Sequence, residues 1–196
     1  MNLSQPPRRD CAAGAADSQS IFHGMIPKLH LGIALKGTLN MEAKGLLDGI
    51  VVLDLGRVLA CPYAAAMLGD LGATVIKIEN PKGGDDTRKM GPFVNGNSVY
   101  YANFNRSKIG VTLNLKEPEG KELFKELVKK ADIVLENYRP GTMEKLGLGY
   151  DVLKEINPGI IYGSVSGFGH TGPLSKRAGY DIVGQAMGGL MSTTGW

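Results

Sequence analysis

The chain has 196 residues, 43% hydrophobic and 21% charged, with a formal net charge of +3 at pH 7. That balance describes a folded globular body, and so small a net charge gives no electrostatic case for a nucleic-acid surface. Cys11 and Cys61 lie far apart without a C-x-x-C pair or a histidine at ligand spacing, so no disulfide framework and no metal site are expected, and no apolar run reaches the roughly 18–20 residues of a membrane helix.

Residues 1–46 differ in character from the rest. MNLSQPPRRDCAAGAADSQS and the mildly apolar IPKLHLGIAL carry no periodicity, so a disordered tail or non-domain extension is expected ahead of a domain at 47–196. Arg8, Arg9 and several small residues fit an organelle transit peptide, while Asp10 and Asp17 count against one. A cytoplasmic location is expected, with a mitochondrial one as the alternative if residues 1–40 are a transit peptide.

The domain opens on a strand–loop–helix–strand unit from Gly49 to Pro81. Val51, Val52 and Leu53 read as a buried strand, 55–63 as the turn, and Ala64, Met67, Leu68 and Leu71 recur at helical spacing. Gly69 and Gly72 close that helix, and Thr74 to Glu79 forms the second strand. The loop reads GRVLACP, so the G-x-G-x-x-G dinucleotide fingerprint is absent and NAD loses its main support.

The segment 82–108 follows, rich in Gly, Asn and Asp with interleaved aromatics, and too long for a simple connection. Ile109 to Leu115 alternates as a strand, and Pro118 with acids in the first turn starts a helix to about Lys130, its face carrying Leu123, Phe124, Leu127, Val128 and Ala131. A strand at Asp132 to Asn137, short helices at Met143 to Leu146 and Asp151 to Ile156, a strand at Ile160 to Val165 and a helix at Ile182 to Met187 complete the order. At least four strands alternate with helices, which predicts an α/β fold with a doubly wound, parallel, Rossmann-like sheet. Ligands of such sheets lie outside the carboxyl ends of the strands. Here those ends carry Leu55 to Pro62, the segment after Glu79, Asn137-Tyr138-Arg139, and Ser166 to Pro173.

Three long blocks give the sequence a family resemblance. LLDGIVVLDLGRVLACPYAAAMLGDLGATVIKIENPKGGDDTR, NRSKIGVTLNLKEPEGKELFKELVKKADIVLENYRPGTMEKLGLGY and INPGIIYGSVSGFGHTGPLSKRAGYDIVGQAMGGLMSTTG resemble, in order, the class III CoA-transferases, the group of formyl-CoA transferase, carnitine CoA-transferase and α-methylacyl-CoA racemase. The match runs from Leu47 to Trp196 and resembles the amino-terminal part of the family's large domain. The resemblance implies coenzyme A bound across the carboxyl edge of the sheet. In the family's pattern Val58, Leu59 and Ala60 lie against the pantetheine arm, Asn80 falls where the family can place an arginine, Leu113 lines the adenine side, and Lys116 and Lys145 contact phosphate. Asn137 and Tyr138 match the family's cofactor edge. Without the resemblance, Lys116 and Lys145 read as solvated lysines near helix ends, and Leu59 and Leu113 as core.

Cys61 stands at a helix start, where a thiol pKa can fall, but the family usually has glycine there and a small residue is the simpler expectation. His170 could be a general base, although the family position is often glutamine and a loop-lining role is favoured. Racemases of the family place a histidine where Tyr180 stands; a phenol with a pKa near 10 suits α-proton exchange poorly. Tyr180 therefore favours transfer, with Asp181 as an auxiliary carboxylate or as the N-cap of the helix it precedes.

The resemblance implies covalent chemistry, with CoA passing from an acyl-CoA donor to a carboxylic acid acceptor through an aspartyl-CoA thioester. The nucleophilic aspartate follows the segment Gly188 to Gly195 in the family, beyond Trp196, so the 196-residue chain is expected to be inactive alone. An interlinked homodimer is implied for the family's full-length proteins. A non-catalytic CoA-binding module and a racemase-like protein remain as alternatives, and the donor and acceptor stay open, since Asp85-Asp86-Thr87-Arg88 resembles the succinyl-, glutaryl- or carnitine-type transferases as much as any other subgroup.

Overall fold

The computed structural model describes residues 45–194, so the expectations for residues 1–44 lie outside the described residues. Five strands, β1 (Val51–Asp54), β2 (Thr74–Glu79), β5 (Lys108–Thr112), β6 (Ile133–Glu136) and β7 (Ile161–Ser164), form one sheet in the order β5-β2-β1-β6-β7. Every pairing in it is parallel, with Leu53 opposite Ile76 on one side and Val134 on the other. The chain winds outward from β1 to β5 and then returns to place β6 on the other flank of β1. This is the doubly wound sheet expected, built from all five of the strands read in the sequence, and its switch point lies between β1 and β6.

Side chains alternate across a strand, so Val52 and Val75 share a face with Asp54, Lys77 and Glu79 further along. Helix α1 (Ala60–Asp70) covers that face, and Val52, Ala65, Ala73 and Val75 form a buried cluster there. The helix buries Cys61, Pro62, Ala65 and Ala66. The predicted apolar face is therefore corrected: Met67 is 50% and Leu71 44% exposed. Small residues face the sheet because they let the helix backbone approach it closely, whereas hydrophobic spacing alone weighted the larger side chains. The helix also begins at Ala60, inside the segment expected to be turn.

The 82–108 segment is not an irregular loop. It holds a short 3-10 helix (Asp86–Lys89), an antiparallel hairpin of β3 (Phe93–Val94) and β4 (Asn97–Ser98), and helix α2 (Val99–Phe104). Asn95 and Gly96 turn the hairpin with φ of 51° and 77°, the left-handed pair that an Asn-Gly hairpin turn requires. Ser98 then caps α2, its hydroxyl accepting from the Tyr101 N–H at 3.0 Å.

β5 ends at Thr112 rather than Leu115, and Leu113 to Lys116 turn away over the carboxyl edge. Helix α3 (Pro118–Val128) buries Gly120, Phe124 and Val128 while Leu123 stays exposed. Helices α4 (Thr142–Leu146) and α5 (Tyr150–Ile156) follow β6, with α5 packed near α3. The Asn157 side-chain amide locks this layer by donating to the Val128 and Ala131 carbonyls at 3.0 and 2.8 Å. Helix α6 (Asp181–Met187) and α7 (Leu190–Thr194) close the described chain. Asp181 is not the N-cap expected: Tyr180 holds that place without a side-chain cap, and Asp181 accepts from the Gln185 amide at 2.5 Å.

Candidate functional site

The carboxyl end of the α1-covered face is ionic. Lys77 and the Lys108 ammonium are each about 1% exposed, and both converge on the fully buried Asp54, at 3.7 and 2.7 Å. Such groups survive burial only when paired and hydrogen-bonded. Lys77 also donates to the Gly56 carbonyl and pairs with Asp85 at 3.2 Å, and Lys108 donates to the Pro62 carbonyl at 2.7 Å and to Asn105 Oδ1 at 3.1 Å. Burial pulls the Lys108 ammonium below its ordinary pKa, against the opposing pull of Asp54.

Glu79, at the end of β2, accepts from Arg88 Nε and Nη2 at 2.8 and 2.7 Å, from the Tyr101 hydroxyl at 2.8 Å and from the Asp85 N–H at 2.7 Å. Burial by itself raises its pKa, yet the Arg88 and Tyr101 hydrogen bonds outweigh it and bring the carboxyl down to about 2. Asp85 accepts from Thr87 N–H and Oγ1 at 3.0 and 2.9 Å and from the Val58 N–H at 3.2 Å. Burial opposes its ionisation too, but the Thr87 bond and Lys77 hold it below the usual carboxylate range.

Beside this network opens a cleft of about 380 Å³ at the ends of β1, β2, β5 and β6. Ile78 and Leu113 give it apolar surface, with Leu146 of α4 facing the same space. Lys82, Lys89 and Lys116 also line it, and none makes an ion pair among the described residues. Gly83 and Gly84 adopt φ of 97° and 63° in its wall. At Gly84 a Cβ would stand 2.5 Å from Glu79 Oε2, so the close turn requires glycine. Gly120 sets the opposite wall, since a Cβ there would stand 2.0 Å from the Asn114 carbonyl oxygen. A volume of this size, apolar surface and unpaired cations together suit a phosphorylated organic ligand.

The structure brings Asn80, Leu113, Lys116 and Tyr138 into the cleft lining. Burial raises the Tyr138 phenol above its ordinary pKa, so it stays a neutral hydroxyl. Val58, Leu59 and Ala60 lie next to the cleft but do not line it; Gly56 and Arg57 from the same loop do. The amides of this loop are less available than the sequence suggests. Gly56 N–H donates to Asp54 Oδ1 at 2.8 Å, Arg57 N–H to Asn137 Oδ1 at 2.7 Å, and Val58 N–H to Asp85. Asn137 returns a second bond from Nδ2 to the Arg57 carbonyl at 2.8 Å, so its amide clamps the β1 and β6 loops across the switch point. Lys145 does not line the cleft, although Thr142 and Leu146 of its helix do. Tyr180 is 73% exposed and, like Asp181, stands apart from the cleft lining.

Cys61 is fully buried, and burial with the nearby Asp54 charge pushes its thiol pKa up, the opposite of nucleophile activation. It serves as the small residue expected: a Cβ at Gly56 would lie 2.6 Å from Cys61 Cβ. His170 Nε2 lies 2.5 Å from Ser164 Oγ, whose hydroxyl reaches the buried Glu136.

The model of CoA-transferase family III matches residues 47–196. The chain belongs to that family. It is 53% identical over 150 residues to human succinyl-CoA:glutarate CoA-transferase, covering 76% of this chain and 34% of that protein. It is 48% identical over 159 residues to acetyl-CoA:oxalate CoA-transferase of Acetobacter aceti, covering 81% of this chain and 41% of the relative. A crystal structure of a CaiB/BaiF family protein from Brucella suis superposes with a TM-score of 0.71 at 49% identity, over 75% of this chain and 40% of that one. The chain therefore spans about a third to two fifths of these relatives' length.

Arg57, Lys82, Lys89 and the Gly83-Gly84 pair are cleft residues that sequence reasoning missed. A signal existed for the network behind them: Thr74-Val75-Ile76-Lys77-Ile78-Glu79 places two charges in a strand of a parallel sheet, which is normally buried on both faces. Charges there require partners from elsewhere.

Proposed function

We propose that this chain forms the CoA-binding part of a CoA-transferase, which moves CoA from an acyl-CoA donor to a carboxylic acid acceptor. The observation that carries the proposal is the cleft in which Lys82, Lys89 and Lys116 stand without carboxylate partners among the described residues, around Ile78 and Leu113, in a member of CoA-transferase family III. The lysines take the phosphates, Leu113 and Ile78 take the adenine, and the pantetheine arm leaves past Arg57 toward Val58, Leu59 and Ala60. Asn137 acts by holding that exit loop rather than by touching CoA. The names of the relatives, which pair succinyl-CoA with glutarate and acetyl-CoA with oxalate, favour a short dicarboxylate as one of the exchanging acids.

The route we propose is covalent: a carboxylate attacks the donor thioester carbonyl and forms an anhydride while CoA thiolate leaves. The thiolate then attacks the enzyme acyl carbon, giving an enzyme thioester and releasing the donor acid. The acceptor carboxylate then attacks the enzyme thioester, giving a second anhydride as CoA thiolate leaves, and the thiolate attacks the acceptor carbonyl of that anhydride, forming the product acyl-CoA and freeing the enzyme carboxylate. Asp85 and Asp86 line the cleft, but Asp85 is buried against Lys77 and Asp86 is tied to Arg57 at 2.5 Å, so neither is assigned as the nucleophile. We place that group outside the described residues, keep Asp181 and Tyr180 as auxiliary groups, and expect this chain alone to bind CoA without transferring it. The full-length protein is proposed to pair with a second copy.

Calorimetric titration of the purified chain with CoA and with NAD tests the proposal. Saturable CoA binding, weakened about tenfold by Lys116→Ala and absent with NAD, supports it; NAD binding equal to CoA binding overturns it.

A further inference from the structure

The wall of the cleft from Asn80 to Lys89 has no place in the main sheet, yet it is fastened at two buried carboxylates. At one end Glu79 receives four hydrogen bonds, two from Arg88, one from Tyr101 and one from the Asp85 N–H. At the other, Asp85 is held by Lys77 from the sheet, by Thr87 from the 3-10 helix and by the Val58 N–H from the β1 loop. Between these anchors the chain folds on itself: Gly84 N–H donates to the Asn80 carbonyl at 3.1 Å and Lys82 N–H to Asn80 Oδ1 at 2.8 Å. The anchored carboxylates have their oxygens committed to protein donors, while Lys82 between them and Lys89 at the end of the following 3-10 helix are unpaired among the described residues.

We propose that Glu79 and Asp85 are positioning residues, which together clasp the Asn80–Lys89 wall so that Lys82 and Lys89 face the phosphate end of the ligand. This rests on the CoA reading of the cleft. Both carboxylates border the cleft, but their oxygens are taken up by protein donors; an anion at the phosphate end would be repelled by them if they were not neutralised by Arg88 and Lys77. Asp85 has a second task, because its bond to the Val58 N–H ties the phosphate wall to the β1 loop. The clasp therefore couples the two ends of the ligand path.

The test uses Glu79→Gln, Asp85→Asn and Arg88→Met in the full chain, with Glu126→Gln on the outer surface of α3 as a control. Calorimetry with CoA and with pantetheine, which lacks the phosphates, separates positioning from general loosening. We expect wild-type CoA affinity to fall at least tenfold in Glu79→Gln and Asp85→Asn, with pantetheine affinity changed less than twofold in Glu79→Gln. The Glu79→Gln/Arg88→Met double variant is expected to bind CoA no worse than the weaker single one, because both remove one contact. Amide hydrogen exchange without ligand is expected to speed up at Gly84 and Asp85 in Glu79→Gln while Val52 and Val75 stay protected. Unchanged CoA affinity and unchanged exchange in the variants overturn the proposal, as does an equal loss for CoA and pantetheine in Glu79→Gln. If Glu79→Gln does not fold, Arg88→Met carries the same expectation from a half-exposed position, and wild-type CoA affinity there overturns it. Failure of the wild-type chain to bind CoA defeats the CoA reading, and the exchange result then decides the clasp by itself.

Discussion

Gly120→Ala isolates how the far wall of the cleft is built. In an open helix the change is favourable by up to about 1 kcal/mol, because glycine loses more backbone freedom on folding. Here the added Cβ would stand 2.0 Å from the Asn114 carbonyl oxygen and 2.7 Å from its carbon, both backbone atoms that no rotamer change can move. Relief requires a shift of roughly 1 Å in α3 or in the Leu113–Lys116 turn, and overpacking of this kind costs about 1–3 kcal/mol. The net expectation is a loss of up to about 2 kcal/mol after a helix gain of about 1 kcal/mol is subtracted. Gly184 is the matched control: it sits inside α6 with nothing within 4 Å of its added Cβ, so Gly184→Ala should be neutral or stabilising. Urea unfolding at pH 7 reads both, and CoA titration of Gly120→Ala should show weaker binding through the displaced Lys116. A Gly120→Ala chain more stable than wild type, as in an open helix, would refute the tight contact between helix and wall.

Acid should weaken the fold through Glu79. Its folded pKa of about 2 lies below the ordinary 4.5, so the stabilisation is complete above pH 4.5 and is lost as pH falls toward 2. The stability difference between wild type and Glu79→Gln should shrink by roughly 3 kcal/mol across that window, and a constant difference in urea melts would contradict it. Phe124→Ala, which removes the buried aromatic of α3, should cost about 3–5 kcal/mol in the same assay. Val58 is a β-branched residue at φ 65°, a conformation glycine takes without strain, so Val58→Gly should hold stability within about 1 kcal/mol of wild type; a larger loss would show that its side chain matters more than its backbone.

Much of the sheet was legible because its strands carry their signal locally. Thr74–Glu79 was bounded correctly, its apolar run ending at a helix-closing glycine on one side and a proline on the other. The α1 face was misread because Ala65 and Ala66 contribute close approach rather than bulk, and spacing counts bulk. The hairpin inside 82–108 was signalled by Asn95-Gly96 but hidden by strands of two residues each. The cleft was half legible. Asn80, Leu113, Lys116 and Tyr138 follow strand ends, where any doubly wound sheet places its ligand. Asn137 was found as an edge residue, but its clamp on Arg57 joins positions 80 residues apart and depends on β1 and β6 being neighbours. The pairing of Lys77 and Lys108 on Asp54 is of the same kind: the residues are visible in the sequence, and the partners appear only once β5, β2 and β1 lie side by side.

The central claim is that CoA lies in the cleft at the carboxyl ends of β2, β5 and β6. Titrating the labelled chain with CoA while following backbone amide chemical shifts tests it most directly. The shifts should concentrate at Gly83, Gly84, Asn114, Lys116 and Tyr138 and saturate together; shifts confined to Ser166–Pro173, or none at saturating CoA, would contradict it.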